Sequence, residues 1–151
     1  MEVTADQIKE LREKTGISVA ECKKALVEAG GDMEKATAIL REKSAASAAK
    51  KADRELGAGA VSAYVHTSAQ VGAMVLLSSE TDFVSKNEEF VALARDIAMH
   101  VSAMNPASKE ELLAQEYIKD PSKTIAALLA EATQKFGERV DLSNFSRFSV
   151  K

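Results

Sequence analysis

The hydrophobic residues of this chain change their spacing near residue 58, and the change divides the sequence into two parts. Between residues 4 and 42 they recur at the three- to four-residue spacing of helices, whereas residues 61–65 alternate between apolar and polar as in a strand. Gly57 and Gly59 interrupt the helical pattern at the transition. We therefore predict an N-terminal helical domain followed by a mixed domain of strands and helices.

The helical part contains start and stop signals for three short helices. Capping boxes begin the first two, at Thr4 and Ser18, and Asp32 can cap the third. Gly16 can adopt the left-handed conformation that ends the first helix, and the glycines at 30 and 31 end the second. Few large side chains face inward, so the core of this bundle is small, as in many binding modules.

Three segments follow from these patterns. Residues 1–43 are predicted to form a three-helix domain, residues 44–57 a helical linker, and residues 58–151 an α+β domain. The linker combines high helix propensity with almost no large apolar residue, so we expect a helix that acts as a spacer.

The α+β domain is predicted to contain a three-stranded antiparallel sheet. Two strands are joined by a short turn at residues 67–70, and a third strand covers residues 139–150. The alternation in the third strand slips between Leu142 and Phe145, which predicts a bulge. Such a sheet has exposed edges and one face more than two helices cover, so self-association is expected.

Two helices are predicted to accompany these strands. A third capping box at Ser85 opens one helix, which Asn105 and Pro106 end, and Asp120 followed by Pro121 opens the other. Strands grouped around helices without a regular βαβ order indicate an α+β layer fold.

Composition argues against several classes of protein. The net charge of -3 and the pI of about 5.5 disfavour direct binding to nucleic acid, which requires a basic face. No apolar run of membrane-spanning length and no N-terminal signal region is found, which predicts a cytosolic protein or one that is mature after import. The single cysteine rules out an intramolecular disulfide.

Residues suited to catalysis are few and scattered. The two histidines, His66 and His100, fall in a strand and near the end of a long helix, and Cys22 lies on an apolar helix face. Glu80 and Asp82 offer too few oxygen ligands for a metal site. The sequence therefore predicts neither an enzyme nor a bound cofactor or metal.

Phe83 lies in a short polar segment just ahead of the helix start predicted at Ser85. Such a residue either packs onto the protein's own core or stays exposed as an anchor that another protein covers. The segment alone favours the core, because large apolar residues are most often buried.

Motifs distributed over nearly the whole chain point to one known family. They are residues 11–16, 22–26 and 28–32, Glu-Thr-Asp-Phe-Val at residues 80–84 with Asn87, Glu88 and Phe90, and residues 136–138 with 145–148. In order and spacing these residues resemble the translation elongation factor Ts family. The resemblance implies an N-terminal domain of the ubiquitin-associated type and a role as guanine-nucleotide exchange factor for elongation factor Tu in its GDP form.

The resemblance also implies a mechanism and the residues that perform it. Thr81, Asp82, Phe83 and Val84 would enter elongation factor Tu near its magnesium, with the aromatic ring wedged between helices and the aspartate perturbing the ion's surroundings. Magnesium would leave and GDP would follow. Phe83 is then expected to be exposed rather than buried.

The helical domain would meanwhile grip the GTPase domain of elongation factor Tu through Arg12, Val19 and Ala20. The alternative function is an adaptor, in which the three-helix domain binds ubiquitin-like or nascent-chain partners and the sheet only dimerises. A third possibility, a small hydrolase, would need His66 and His100 as an acid–base pair.

Some residues depart from the family's pattern. Ser78 and Ser79 stand where members often have an Asn-Cys pair, and Ser143 and Asn144 stand where paired arginines are common. Long members hold two related sheet subdomains, whereas this chain has room for one, so the resemblance to compact members implies a homodimer.

Overall fold

The computed structural model describes residues 2–151, which form two compact units. The first unit contains the chain up to Ala52 together with Ala130–Gly137, and the second contains Asp53–Leu129 together with Glu138–Lys151. In chain order the elements are α1 (Ala5–Thr15), α2 (Val19–Glu28), α3 (Met33–Lys50), β1 (Ala58–Val65), β2 (Val71–Ser79), α4 (Asp82–Ser85), α5 (Glu88–Met104), α6 (Lys109–Ala114), β3 (Glu116–Tyr117), β4 (Asp120–Thr124), α7 (Ile125–Phe136) and β5 (Asp141–Ser149). N-terminal helices followed by a three-stranded antiparallel sheet packed against helices confirm the predicted α+β fold class.

The first unit is built on the three predicted N-terminal helices. Thr4 forms the predicted capping box with Gln7, Asp32 accepts hydrogen bonds from the first turn of α3, and Gly16 ends α1 with a φ of 71°. The inward-facing side chains form one small cluster, consisting of Leu11, Ile17, Cys22, Ala25, Leu26, Ala36 and Leu40.

Helix α3 is longer than the sequence pattern predicts. It continues without interruption to Lys50, so the predicted end of the third helix at residue 42 is wrong. The reason is local, because residues 43–50 contain neither glycine nor proline and are rich in alanine. Ser44, assigned to the linker, is only 1% exposed and hydrogen-bonds the side chain of Gln134. The domain boundaries at residues 43 and 57 stay a prediction.

The sheet of the second unit has the order β1-β2-β5, and both pairings are antiparallel. Leu76 pairs with Asn144 and Leu77 pairs with Leu142, so Ser143 is the extra residue of a bulge. This confirms the slip predicted in the third strand. The hydroxyls of Ser143 and Ser78 lie 2.7 Å apart, so two of the departures from the family's pattern contact each other.

The two faces of this sheet have different environments. Helix α5 packs against β1 and β2 on the inner face, where Val75 and Leu77 are buried. The outer face is open and carries four exposed large apolar residues: Val61, Val65, Met74 and Phe148. Along residues 61–65, 72–76 and 144–148 the side chains on this face are uncharged.

Two predicted helix starts are wrong. Helix α5 begins at Glu88 rather than at a capping box on Ser85, because Asn87 caps it by accepting the Glu89 N–H group at 2.8 Å. Ser85 instead ends α4, a single helical turn that the sequence pattern did not indicate. Helix α5 ends at Asn105, as predicted, and the structure adds that this residue adopts the left-handed conformation.

The second wrong start is Asp120 with Pro121. These residues belong to β4, which pairs with β3, and the Asp120 carboxylate accepts hydrogen bonds from the backbone N–H and hydroxyl of Ser122. Helix α7 begins five residues later at Ile125, where Thr124 accepts the N–H group of Ala127.

No helix among residues 2–151 has the length and apolarity needed to cross a membrane.

Candidate functional site

The loop between β2 and α5 presents Phe83 to solvent. Phe83 is the second residue of α4, and 93% of it is exposed, the largest fraction among the exposed large apolar residues. Of the two positions considered for this ring, packed onto the core or exposed to solvent, the structure shows the exposed one. An aromatic side chain left uncovered in this way has the properties of an interface anchor.

The residues next to Phe83 are divided between surface and interior. Thr81 and Asp82 are exposed, whereas Val84 is 8% exposed and Ser85 is 4% exposed. Burial of Val84 and Ser85 attaches the back of α4 to its own unit, so the turn projects Phe83 outward.

Asp82 presents a free anionic group beside the exposed ring. Its carboxylate has neither a hydrogen-bond nor an ion-pair partner among residues 2–151, and its backbone carbonyl accepts the N–H group of Lys86 at 3.0 Å. The carboxylate is therefore available to act on a partner's charged groups.

Glu138 lies just before β5, the neighbour of β2 in the sheet, and it binds the start of this loop. Its Oε1 accepts the backbone N–H groups of Glu80 and Thr81 at 3.2 and 2.9 Å, and its Oε2 accepts the Thr81 hydroxyl at 2.6 Å. Thr81 is the residue before α4, yet its side chain makes no capping bond within that helix.

Glu80 makes the reciprocal contact. Its Oε2 accepts the backbone N–H of Arg139 at 2.5 Å, and its Oε1 lies 3.5 Å from Nη1 of Arg54. Arg139 in turn donates from Nη1 to the Arg54 carbonyl at 2.8 Å. Residues 80–81 and residues 138–139 thus form two short segments, and each segment supplies a carboxylate that accepts hydrogen bonds from the backbone of the other.

Sequence reasoning did not assign a role to Glu138. The residue is 57 positions from Thr81, and it was noted only as part of a motif that resembles the family. The available signal was an acidic residue directly after Gly137, which ends α7 with a φ of 71°.

The residues proposed for the helical domain also lie at the surface of their unit. Arg12 is exposed in the last turn of α1, and Val19 and Ala20 are exposed in the first turn of α2. Val19 is 49% exposed, and Val27 on the same helix is 61% exposed. The short connector between α1 and α2 links these positions.

The titratable residues considered for catalysis are not assembled into a site. His100 is fully buried, and its Nδ1 accepts the backbone N–H of Ile118 at 3.1 Å, so its Nε2 donates to Gln115 Oε1 at 2.9 Å. Burial lowers the pKa of His100, which favours this neutral ring. His66 is exposed and contacts only the Tyr64 hydroxyl, at 3.2 Å, among its side-chain hydrogen bonds within residues 2–151.

Cys22 and the acidic residues offer no further reactive centre. Burial raises the pKa of the Cys22 thiol, which keeps it protonated. Within the described part of the chain, no group of three or more His, Cys, Asp and Glu side chains is placed to hold a metal ion.

An exposed aromatic residue on a hydrogen-bonded loop, in a chain that also carries a small helical unit, is typical of proteins that bind another macromolecule. A family model described as Elongation factor TS matches residues 1–110 and 80–151. The chain therefore belongs to the elongation factor Ts family, whose members serve translation elongation.

Curated relatives from several bacteria support this assignment. The chain is 41% identical over 195 residues to Elongation factor Ts of Leptospira biflexa, covering 99% of this chain and 98% of the relative. It is 40% identical over 191 residues to Elongation factor Ts of Acetivibrio thermocellus, covering 97% of this chain and 89% of the relative. These alignments are longer than the 151 residues of this chain, so both relatives contain insertions that it lacks.

A third relative aligns differently. Elongation factor Ts of Trichlorobacter lovleyi is 46% identical over 150 residues, which cover 99% of this chain and 48% of the relative. That longer protein therefore contains about as much sequence again with no counterpart here.

Proposed function

We propose that this protein is a guanine-nucleotide exchange factor for elongation factor Tu in the bacterial cytoplasm, and that it promotes GDP release by displacing the bound magnesium ion. It would act as a binding protein without catalytic residues or cofactor of its own. The observation that carries the proposal is Phe83, which is 93% exposed on α4 beside the unpaired carboxylate of Asp82. A ring in this position can insert between the partner's helices while the anion approaches the magnesium site.

One exposed aromatic residue can account for most of the free energy that faster GDP release requires. A thousandfold faster release requires about 4 kcal/mol, at about 1.4 kcal/mol per factor of ten. An aromatic hot spot contributes about 2 to 4 kcal/mol at a protein interface. The charge of Asp82 near a divalent cation supplies a second contribution.

Val84, which is buried, would hold the turn in place rather than touch the partner.

Release of the exchange factor follows from reciprocity. If this protein weakens nucleotide binding by a given factor, nucleotide binding weakens the complex by the same factor. Fresh GTP would therefore expel the exchange factor and allow it to act again.

The helical unit would provide a second contact with the GTPase domain of elongation factor Tu. Arg12, Val19 and Ala20 are exposed at the junction of α1 and α2, and Val19 adds an apolar group to the charge of Arg12. Such a contact would contribute affinity, whereas the Phe83 loop would act on the nucleotide site.

The test is the release of a fluorescent GDP from elongation factor Tu, measured by stopped flow at several magnesium concentrations. We expect the protein to accelerate release, and we expect the acceleration to decrease as magnesium is raised, because the ion competes with its own displacement. Release at the uncatalysed rate would contradict exchange and would favour the adaptor, in which the three-helix unit binds ubiquitin-like or nascent-chain partners. Acceleration that is independent of magnesium would contradict the displacement step.

We also propose that the protein is a homodimer formed through the outer face of the sheet. Val61, Val65, Met74 and Phe148 are 53–80% exposed on this face, and along residues 61–65, 72–76 and 144–148 the side chains that share the face carry no charge. Monomeric proteins rarely leave such a continuous apolar area uncovered. Because a second copy presents the same uncharged face, the two faces can pack together without repulsion between like charges.

Substitution of two of these residues is expected to abolish the dimer. Met74→Glu with Phe148→Glu would place like charges from both copies in the interface, where a desolvated charge without a partner is costly. We expect sedimentation at micromolar concentration to give a dimer mass for the unmodified protein and a monomer mass for the variant. Val27→Glu, on an exposed apolar residue of the first unit, is the control and should remain dimeric. A monomeric unmodified protein would refute the proposal.

A further inference from the structure

The loop that carries Phe83 is too short to hold its own conformation. Helix α4 contains four residues, and a single turn of helix is unstable in isolation because nucleation is unfavourable. Thr81, at its N-terminus, makes no side-chain capping bond to it. The side chain of Phe83, being 93% exposed, contributes little packing. The shape of the loop must therefore be maintained by contacts outside it.

Glu138 supplies the polar part of those contacts. All three hydrogen bonds accepted by its carboxylate come from Glu80 and Thr81, the two residues that join β2 to α4. These donors have no partner in the sheet or in α4, since the strand pairing ends at Ser79 and α4 begins at Asp82. An ionised acceptor makes shorter and stronger hydrogen bonds than a neutral one.

The support for Glu138 is itself fixed. Glu80 accepts the N–H group of Arg139, the residue after Glu138, so the two stretches of chain hold each other in register. Asp141 Oδ2 receives Nη2 of Arg139 at 3.3 Å and Nζ of Lys109 at 3.0 Å, which adds an ionic connection to α6. The carboxylate of Glu138 thus approaches the loop from a constrained segment.

We propose that Glu138 is a positioning residue that orders the Thr81–Phe83 loop before the partner binds. This inference rests on the proposed exchange function, although the order of the loop can be measured without it. If Glu138 holds the loop in the binding-competent conformation, losing it reduces the fraction of molecules in that conformation and raises the apparent dissociation constant in proportion. The rate within the complex is unaffected, because the bound loop is ordered in either case.

Three substitutions separate geometry from charge. Glu138→Ala removes the acceptor, Glu138→Asp keeps the charge but withdraws the carboxylate by one methylene, and Glu138→Gln keeps a neutral acceptor at the original reach. Glu110→Ala, an exposed residue on α6, is the control for the loss of one negative charge. The Asp and Gln variants change the side chain least and carry the test if the Ala variant does not fold.

Two measurements are made on each variant. Amide hydrogen exchange reports the protection of the Glu80 and Thr81 N–H groups in the free protein, and stopped-flow GDP release against protein concentration reports the half-saturating concentration and the plateau rate. For the Ala and Asp variants we expect loss of protection, at least a tenfold higher half-saturating concentration and a plateau within about twofold of the unmodified protein. The half-saturating concentration should rise less for the Gln variant than for the Asp variant, and it should not change for the Glu110 variant.

Other results would overturn the inference in identifiable ways. If Glu138→Asp behaves as the unmodified protein while Glu138→Gln behaves as Glu138→Ala, charge rather than positioning is responsible. If protection is lost with no change in half-saturation, the ordered loop is not needed for binding. Protection that persists in the Ala and Asp variants refutes the positioning role directly. If the unmodified protein itself fails to accelerate release, the exchange function fails, and the hydrogen-exchange result still shows whether Glu138 orders the loop.

Discussion

Replacing Phe83 by alanine is expected to remove most of the acceleration of GDP release, lowering it by about 30- to 700-fold. This range is the loss of about 2 to 4 kcal/mol from one aromatic hot spot, at about 1.4 kcal/mol per factor of ten. The measurement is stopped-flow release of a fluorescent GDP from elongation factor Tu. The variant is added at the concentration at which the unmodified protein already gives its maximal release rate. The reduction should appear in the plateau rate, because the ring acts on the nucleotide site.

The fold of this variant should be unchanged, since Phe83 is 93% exposed to solvent in the free protein. Its free energy of unfolding should lie within about 0.5 kcal/mol of that of the unmodified protein, as for most surface substitutions. Phe83→Tyr preserves the ring and should retain most of the acceleration. A Phe83→Ala variant that accelerates release normally would show that another group displaces the magnesium.

The same substitution at Phe90, seven residues later, is expected to have the opposite outcome. Phe90 is 0% exposed and is among the largest fully buried side chains of the protein. Its replacement by alanine leaves a cavity and should lower the free energy of unfolding by about 3 to 5 kcal/mol. Urea unfolding followed by circular dichroism measures this loss directly.

Phe83→Ala is the matched control for this experiment, because it deletes the same atoms from an exposed site. A domain of ordinary stability has about 5 to 15 kcal/mol in total, so Phe90→Ala removes a large share. A loss below about 1 kcal/mol would mean that Phe90 is not a central part of the core of its unit.

Signals that act over a few residues predicted much of the secondary structure. The capping box at Thr4, the cap at Asp32 and the helix end at Asn105 are all present, because each depends on interactions within about one helical turn. The bulge at Ser143 was also readable, since it shifts the alternation of its own strand.

Predictions failed where two local signals competed. Ser85 and Asn87 can both cap a helix, and the choice of Asn87 accompanies the burial of Val84 and Ser85 in a separate turn. Asp120 with Pro121 is a common helix start, but here it pairs with β3 and the start moves to Ile125. A local pattern cannot indicate which of two permitted starts the rest of the protein stabilises.

The candidate site was found only in part from the sequence. The motif of residues 80–84 located the loop through its resemblance to a family, but the segment by itself favoured a buried Phe83. The segment just before this ring is also bound by a residue distant in the chain, because Thr81 donates a hydrogen bond to Glu138, which is 57 positions away. No periodicity or spacing connects two residues so far apart.

The sequence by itself determined the helical and sheet-containing parts, most of the helix ends and the family, because these are recorded in the order and spacing of nearby residues. Tertiary structure alone decided which face of the sheet stays open and which phenylalanines are exposed and which are buried. Those outcomes depend on the free energy of burying one surface rather than another, and that comparison exists only when the strands and helices are assembled.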